Sequence, residues 1–486
     1  MVLACAANDS ELRAQQLKLS NSQIRSLEQE GDRLVDQRQY KAALEKYTLA
    51  YTGVVARIRG QLFSRPVTPS ILNRESLRSE MKEIMDREMT PEDIAELEGT
   101  LKVFGFVPAS DAPAELYANL LTEQVAGFYD PDDKRMVLII EDAPEEEPGW
   151  LEKLLGGDPF NKDEQKTTLV HELTHALQDQ LYDLNAMEDR IEDDDDMSLA
   201  FSALVEGDAT LLMFAETQGE IQISQMDPAA MRQTFNIMSW LMPLSAGESY
   251  RKAPPIFRET LMFPYFQGML FVLSQGTKQG WPGVDAFYQS PPLSTEQILH
   301  PKKYEPGPSY DAPMKIVTPE LAAVAGDSWT SLGSSCLGEL QTRILLAKVP
   351  GGKQAALGWD GDRYEVFHSE DDSNERFALT WVSIWDSPTD AEQFAECYRT
   401  YRGLGDDRHA SDDQPSWIHA GDGVFRDDSI CKLVVDGSKC FVVDGFSSQV
   451  SGGLLASLRK STFSEKTFPK PKPDRVESPQ MSASAK

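Results

Sequence analysis

Thr168-Leu169-Val170-His171-Glu172-Leu173-Thr174-His175-Ala176-Leu177 sets two histidines four residues apart around a glutamate. In an α-helix that interval is one turn, so His171 and His175 leave the same face and can share a tetrahedral zinc ion, with Glu172 beside it. Leu169, Val170, Leu173, Ala176 and Leu177 are apolar, which buries the helix. Burying two imidazoles and a carboxyl together is costly unless something pairs them, and a metal ion supplies that pairing. Two surface histidines on an amphipathic helix are the weaker reading, because the other four of the chain's six histidines are scattered.

A catalytic zinc ion takes three protein ligands and keeps an open position for water. The metzincin pattern wants a third histidine at position 181 and a glycine at 178, but the chain has Leu181 and Gln178. The better candidate is Glu206, in Ala203-Leu204-Val205-Glu206-Gly207-Asp208-Ala209. Its helix is apolar nearly all round, at Leu199, Phe201, Leu204, Val205, Leu211, Leu212 and Phe214, and is therefore buried. A carboxylate inside such a helix requires a partner, either zinc or an Arg or Lys from elsewhere.

This arrangement resembles the gluzincin metallopeptidases of the thermolysin-like clan, over residues 120–310. The resemblance implies a mainly helical zincin-like core, zinc on His171, His175 and Glu206, and Glu172 as general base. Relatives of that clan carry an Asp four residues beyond the glutamate ligand, where this chain has Thr210. Asp208 and Asp179 are the candidates to replace it, and Asp179, one turn beyond His175, can accept a ring N–H. The chain also resembles bacterial envelope proteins that share its HELTHALQDQ and VEGDA segments and the stretch Ser294-Thr295-Glu296-Gln297-Ile298-Leu299-His300-Pro301-Lys302-Lys303-Tyr304. That match brings no substrate. No G-x-M-E-N segment of the aminopeptidase kind occurs, which favours an endopeptidase acting on peptides or proteins.

Bound zinc lowers the pKa of water to about 7, so Glu172 can take its proton and pass it to the leaving amine. The oxyanion needs a further donor, and His300 or Tyr304 is expected to supply it, since a histidine in a polar, Pro-rich loop has little packing role. Gly127, in a strand near Val125–Phe128, would let substrate backbone approach, although a bulge is an equal reading. The competing function is a non-catalytic envelope binding or assembly protein that keeps a structural metal site.

The expected fold is α+β. Residues 1–75 form a helical region in which Gly31, Leu34, Tyr40, Ala43, Leu44, Tyr47 and Ala50 have the spacing of one tetratricopeptide-like hairpin. Residues 76–325 form the catalytic domain, beginning with a helix capped by Thr90 and Pro91. A small hairpin follows, around the Asp130–Lys134 turn. Helices are expected over about 162–184, 197–217, 228–246 and 263–279. Residues 326–466 form a C-terminal α+β domain, and residues 467–486, rich in Pro, Lys and Ser, a disordered tail.

A net charge of −31 disfavours a nucleic-acid partner. The acidic runs at Glu145–Glu147 and Asp193–Asp196 are expected as solvated loops. No unbroken apolar run approaches the roughly 20 residues of a membrane span. Val2-Leu3-Ala4-Cys5 resembles the end of a lipoprotein signal peptide, or matches one by accident; an extracytoplasmic location is expected, either as an envelope lipoprotein attached through a lipidated Cys5 or secreted, with a cytoplasmic one as the alternative. Cys336, Cys397, Cys431 and Cys440 fit two disulfides, or alternatively four buried thiols.

Overall fold

The structure is a computed structural model describing residues 19–108, 111–114, 116–117, 120, 127–139, 162–234, 248–369, 376–403, 417–418 and 429–470. Cys5, residues 124–126, Glu145–Glu147, the end of the helix expected over 228–246 and the chain beyond 470 lie outside them.

Two helices open the described chain, α1 (Asn21–Asp36) and α2 (Tyr40–Arg59). Ser20 and Gln23 form a capping box at the start of α1. Gly31 is required where they pack, since a Cβ there would lie 2.5 Å from the Tyr47 ring. The hairpin does not stand apart. Leu44 and Val54 share one core with Leu169, Leu204 and Phe271 of the helices that follow.

Next comes a three-stranded sheet, ordered β1 (Thr68–Leu72), β3 (Arg135–Ile139), β2 (Gly127–Asp130). The β2–β3 hairpin is the expected one, its turn closed by Asp130 Oδ1, which accepts from the amides of Asp132 and Asp133. Strand β1, which runs parallel to β3, has no alternating pattern and contains Pro69, so nothing local announces it. β2 lies at an edge of the sheet.

Against the sheet and hairpin packs α4 (Lys162–Tyr182), carrying the paired histidines; α5 (Asp195–Thr217) packs on α4 and α2, and α6 (Pro255–Gln279) on α5, while α3 (Pro91–Val103), earlier in the chain, packs on the C-terminal sheet. The Thr90–Asp93 capping box starts α3 as expected. Helix α6 begins at Pro255 rather than Phe263. Proline is accommodated in a first turn, and the one backbone bond lost at the internal Pro264 is a small cost for a helix so deeply buried. Helix α5 is long and apolar enough to cross a membrane by length and composition, yet its residues are mostly core.

The C-terminal part is a six-stranded antiparallel sheet. Its order is β5 (Thr330–Ser335), β6 (Trp359–Ser369), β7 (Arg376–Trp385), β10 (Lys439–Ser447), β9 (Ser429–Asp436), β8 (Trp417–Ile418). Every residue of β7 is buried, because helices cover both faces of this central strand. On one face α7 (Gly338–Leu345) and α8 (Pro388–Tyr401) pack with Phe104, which follows α3; on the other lies α9 (Ser448–Leu458). A two-stranded sheet, β4 (Met314–Val317) with β11 (Thr462–Glu465), flanks them. The molecule is thus α+β.

Three expectations fail here. No disulfide joins Cys336, Cys397, Cys431 and Cys440, which are free. The register explains this, since Cys440 faces Val435 and Cys431 faces Asp444 across the β9–β10 ladder. The Asp193–Asp196 run is not a solvated loop, because Asp194 caps α5 and Asp195 and Asp196 form its first turn. At the seam between α5 and the C-terminal sheet the Asp195 amide donates to the Ser335 hydroxyl, the Asp195 and Asp196 carboxylates accept from Tyr364 and Thr295, and Asp194 pairs with Lys466. Nor is the tail free at its start: the Phe468 ring packs on Phe201, and Arg190 stacks over it while donating to the Pro469 carbonyl.

Candidate metal centre

Helix α4 places His171 and His175 one turn apart, and α5 brings Glu206 across to them. His171 Nε2 lies 3.0 Å from Glu206 Oε2, His175 Nε2 lies 3.3 Å from the same oxygen, and the two Nε2 atoms are 3.0 Å apart. Ligand atoms of a tetrahedral ion with bonds of about 2.0–2.1 Å sit roughly 3.3–3.4 Å from one another. The donor set therefore fits a zinc-sized ion. Its chemistry fits too, because two imidazole nitrogens and a carboxylate all aim electron pairs at one point, which a cation resolves.

What brings Glu206 so near is the crossing of α5 and α6. A Cβ on Gly207 would lie 2.2 Å from the Gly268 carbonyl carbon, and one on Gly268 would lie 2.0 Å from the Ala203 carbonyl oxygen. Only glycine lets the backbones approach this far. The same contact delivers Tyr265 of α6, whose ring stacks on His171 with centroids 6.0 Å apart and whose hydroxyl lies in the field of Glu206. Burial, then the charges of Glu206 and Glu172, hold the Tyr265 hydroxyl well above its ordinary pKa, so it stays a donor.

Glu172 is buried beside the pair. Burial raises its pKa, the two histidines oppose that, Glu206 adds to it and a hydrogen bond to the Tyr129 backbone opposes it; the net direction is upward. For His175, burial works downward, but the Glu206 carboxylate and its hydrogen bond raise the imidazole to about 9. Glu206 is pushed up by burial and pulled down further by His175 and His171, ending well below the usual carboxylate range.

The far nitrogen of His175 is oriented by a residue the sequence did not single out for this role. Its Nδ1 lies 2.9 Å from Gln178 Oε1, while Gln178 Nε2 donates to the Val205 carbonyl at 3.0 Å and to Asp208 Oδ2 at 3.1 Å. Two acceptors on the nitrogen side fix the amide, so neutral His175 carries its proton on Nδ1, and the Nε2 that faces the metal position is the nitrogen a metal would take. Asp208 therefore supports the ligand at one remove. Asp179 does not touch it; this carboxylate accepts from Arg65, Lys134 and the Tyr129 hydroxyl at 2.8–2.9 Å and ties α4 to the sheet.

His300 and Tyr304 are likewise engaged elsewhere. His300 Nε2 pairs with the buried Glu339 of α7 at 2.9 Å, and Tyr304 donates to the Ser290 carbonyl at 2.6 Å with its ring edge-on to Phe271. Neither makes a contact with the His171–His175–Glu206 cluster among the described residues, whereas Tyr265 stacks on His171. Gly127 lies close to the motif helix, since a Cβ on it would be 3.3 Å from the Thr168 side chain.

A second carboxylate cluster, Glu296, Asp311 and Asp386, has metal-like spacing. Its cation is already present, as the Lys303 ammonium sits 2.6, 2.8 and 2.9 Å from the three.

Residues 329–453, the C-terminal sheet, match the family model of a domain of unknown function, DUF8575. No curated protein and no solved structure matches the chain.

Proposed function

We propose that the chain is a zinc-dependent endopeptidase with a zincin-like core of the gluzincin kind. The observation that carries this reading is the convergence of the ligand atoms of His171, His175 and Glu206 to within 4.8 Å of one another, with Glu172 buried beside them. A purely structural metal site has no use for that extra carboxyl, and structural zinc more often takes sulfur ligands.

Zinc held there would acidify a water molecule and polarise a peptide carbonyl. Glu172, its proton affinity raised by burial, would accept the proton of the attacking water and deliver it to the leaving amine. Tyr265 would donate its hydroxyl proton in a hydrogen bond to the developing oxyanion. Edge strand β2, which packs on the motif helix α4, would lay an extended substrate antiparallel to itself. An envelope location belongs to the proposal on the resemblance and the Val2–Cys5 segment alone, since the free thiols give it no support.

Metal content tests the centre. Purified protein should hold about one zinc ion per chain, as the His171–His175–Glu206 site implies. Glu206→Gln and His171→Ala should each lose it while keeping the far-UV CD spectrum. Stoichiometric zinc retained by His171→Ala would refute the assignment.

A further inference from the structure

We infer that Arg59, on the N-terminal hairpin, is a positioning residue of the metal centre, acting through Asp208 and Gln178 on the Nδ1 proton of His175. This rests on the metal-site reading above and adds a residue outside the segment that resembles metallopeptidases.

Arg59 is fully enclosed. Its guanidinium reaches Asp208 Oδ2 at 3.1 Å, Asp285 Oδ1 at 2.7 Å and the Trp281 carbonyl at 3.2 Å, and lies over the Trp281 ring. The Arg59 and Asp208 side chains are 1% and 0% exposed, so neither charge has solvent as an alternative partner. Asp208 Oδ2 also accepts from Tyr288 at 2.9 Å and from Gln178 Nε2 at 3.1 Å.

The direction of each proton follows from one end. An arginine only donates, and a carboxylate paired with it only accepts. Gln178 must then turn its NH2 toward Asp208 and present Oε1 to His175. His175 must in turn hold its proton on Nδ1, leaving Nε2 bare for the metal. Were the Gln178 amide reversed, an N–H would face the Nδ1 proton and push the ring out of register. Arg59 cannot reverse its role, because it has no acceptor atom, and the Val205 carbonyl, which can only accept, holds the Gln178 amide in the same sense. Clan relatives orient a histidine ligand with a carboxylate directly. Here a neutral amide stands between, and its polarity is set by the Arg59–Asp208 pair together with the Val205 carbonyl.

The test is zinc affinity by chelator competition, at a temperature well below unfolding, on the full chain. It is joined to NMR of histidine-labelled protein, in which the Nδ1 proton of zinc-loaded His175 should exchange slowly. Gln178→Leu should weaken zinc binding about 10- to 100-fold, the usual cost of losing a histidine's outer partner, and Arg59→Met about tenfold. Both should lose the slow Nδ1 signal. Arg59→Met with Asp208→Asn should recover most of the affinity, since the neutral amide introduced by the second substitution still offers Gln178 a carbonyl oxygen. Asp179→Asn, which neutralises another buried carboxylate of α4, should bind zinc within about twofold of wild type, outside the range expected for an outer partner. An Arg59→Met protein that is less stable but keeps wild-type affinity and the Nδ1 signal would overturn the inference and leave the metal site standing. A wild type that binds no zinc would remove both.

Discussion

Gly207 and Gly268 meet where α5 crosses α6, and a Cβ added to Gly207 would lie 2.2 Å from the Gly268 carbonyl carbon. Glu206 precedes the first glycine, and Tyr265 lies nearly one turn before the second. The closeness of two helix backbones is therefore what gathers a ligand and a hydroxyl donor at the histidine pair.

Gly207→Ala should force the helices apart. Overpacking of this kind costs about 1–3 kcal/mol, and more where backbone atoms must shift. Denaturant unfolding of the metal-free protein should show that loss, with a fall in zinc affinity beyond what Ala215→Gly, in the same helix, produces.

Tyr265→Phe keeps the ring against His171 and deletes the hydroxyl. Zinc content should be unchanged, while kcat falls about 100-fold with little change in KM, the scale of losing one oxyanion donor. His300→Ala and Tyr304→Phe should leave kcat nearly intact. Steady-state assays on one fluorogenic peptide compare all three, and a kcat loss in His300→Ala matching that of Tyr265→Phe would reverse the assignment.

Zinc loading should depend on pH. In the metal-free protein His175 titrates at about 9, so below that pH the metal must displace a proton. Apparent affinity should rise with pH, by about tenfold per unit for one proton, and level off near 9. The same shift stabilises the metal-free fold: its contribution is full below the ordinary histidine range and is lost as pH rises through about 9. A flat affinity profile between about pH 6 and 8 would contradict this linkage.

At the α5 seam the sign is the same for a different group. Burial raises Asp196 to about 7, with Lys466 opposing. The folded state holds this proton more tightly than the unfolded chain does. Its stabilising contribution is present at low pH and is lost as pH rises through about 7. Asp196→Asn cannot titrate, so its melting temperature should vary less than that of wild type between about pH 5 and 8.

The residues that converge in the candidate metal centre were legible because each leaves a local mark. His171 and His175 share a helical turn, and Glu206 is a carboxylate inside an apolar helix. Tyr265 leaves none, since its role arises from a helix crossing in which two glycines, far apart in sequence, meet. Gln178 was visible as a departure from the metzincin glycine, but its amide acquires meaning only with Asp208 and Val205 beside it. His300 misled because its packing partner, Glu339, lies in the next domain. The disulfide expectation failed on strand register, and the acidic loop on partners that only the folded chain supplies. For Tyr265, Gln178, His300 and the acidic run the deciding contact is long-range, which spacing and periodicity do not record, while the disulfides turn on the register within one hairpin.

The most direct measurement is cleavage of a diverse peptide library by zinc-loaded wild type and by Glu172→Gln, each with its zinc content verified, read by mass spectrometry. Internal peptide bonds cut by wild type and left whole by a variant that still holds zinc are the predicted result. Equal cutting by both, or none by a zinc-replete wild type, would contradict the assignment of Glu172 as the general base of a metallopeptidase.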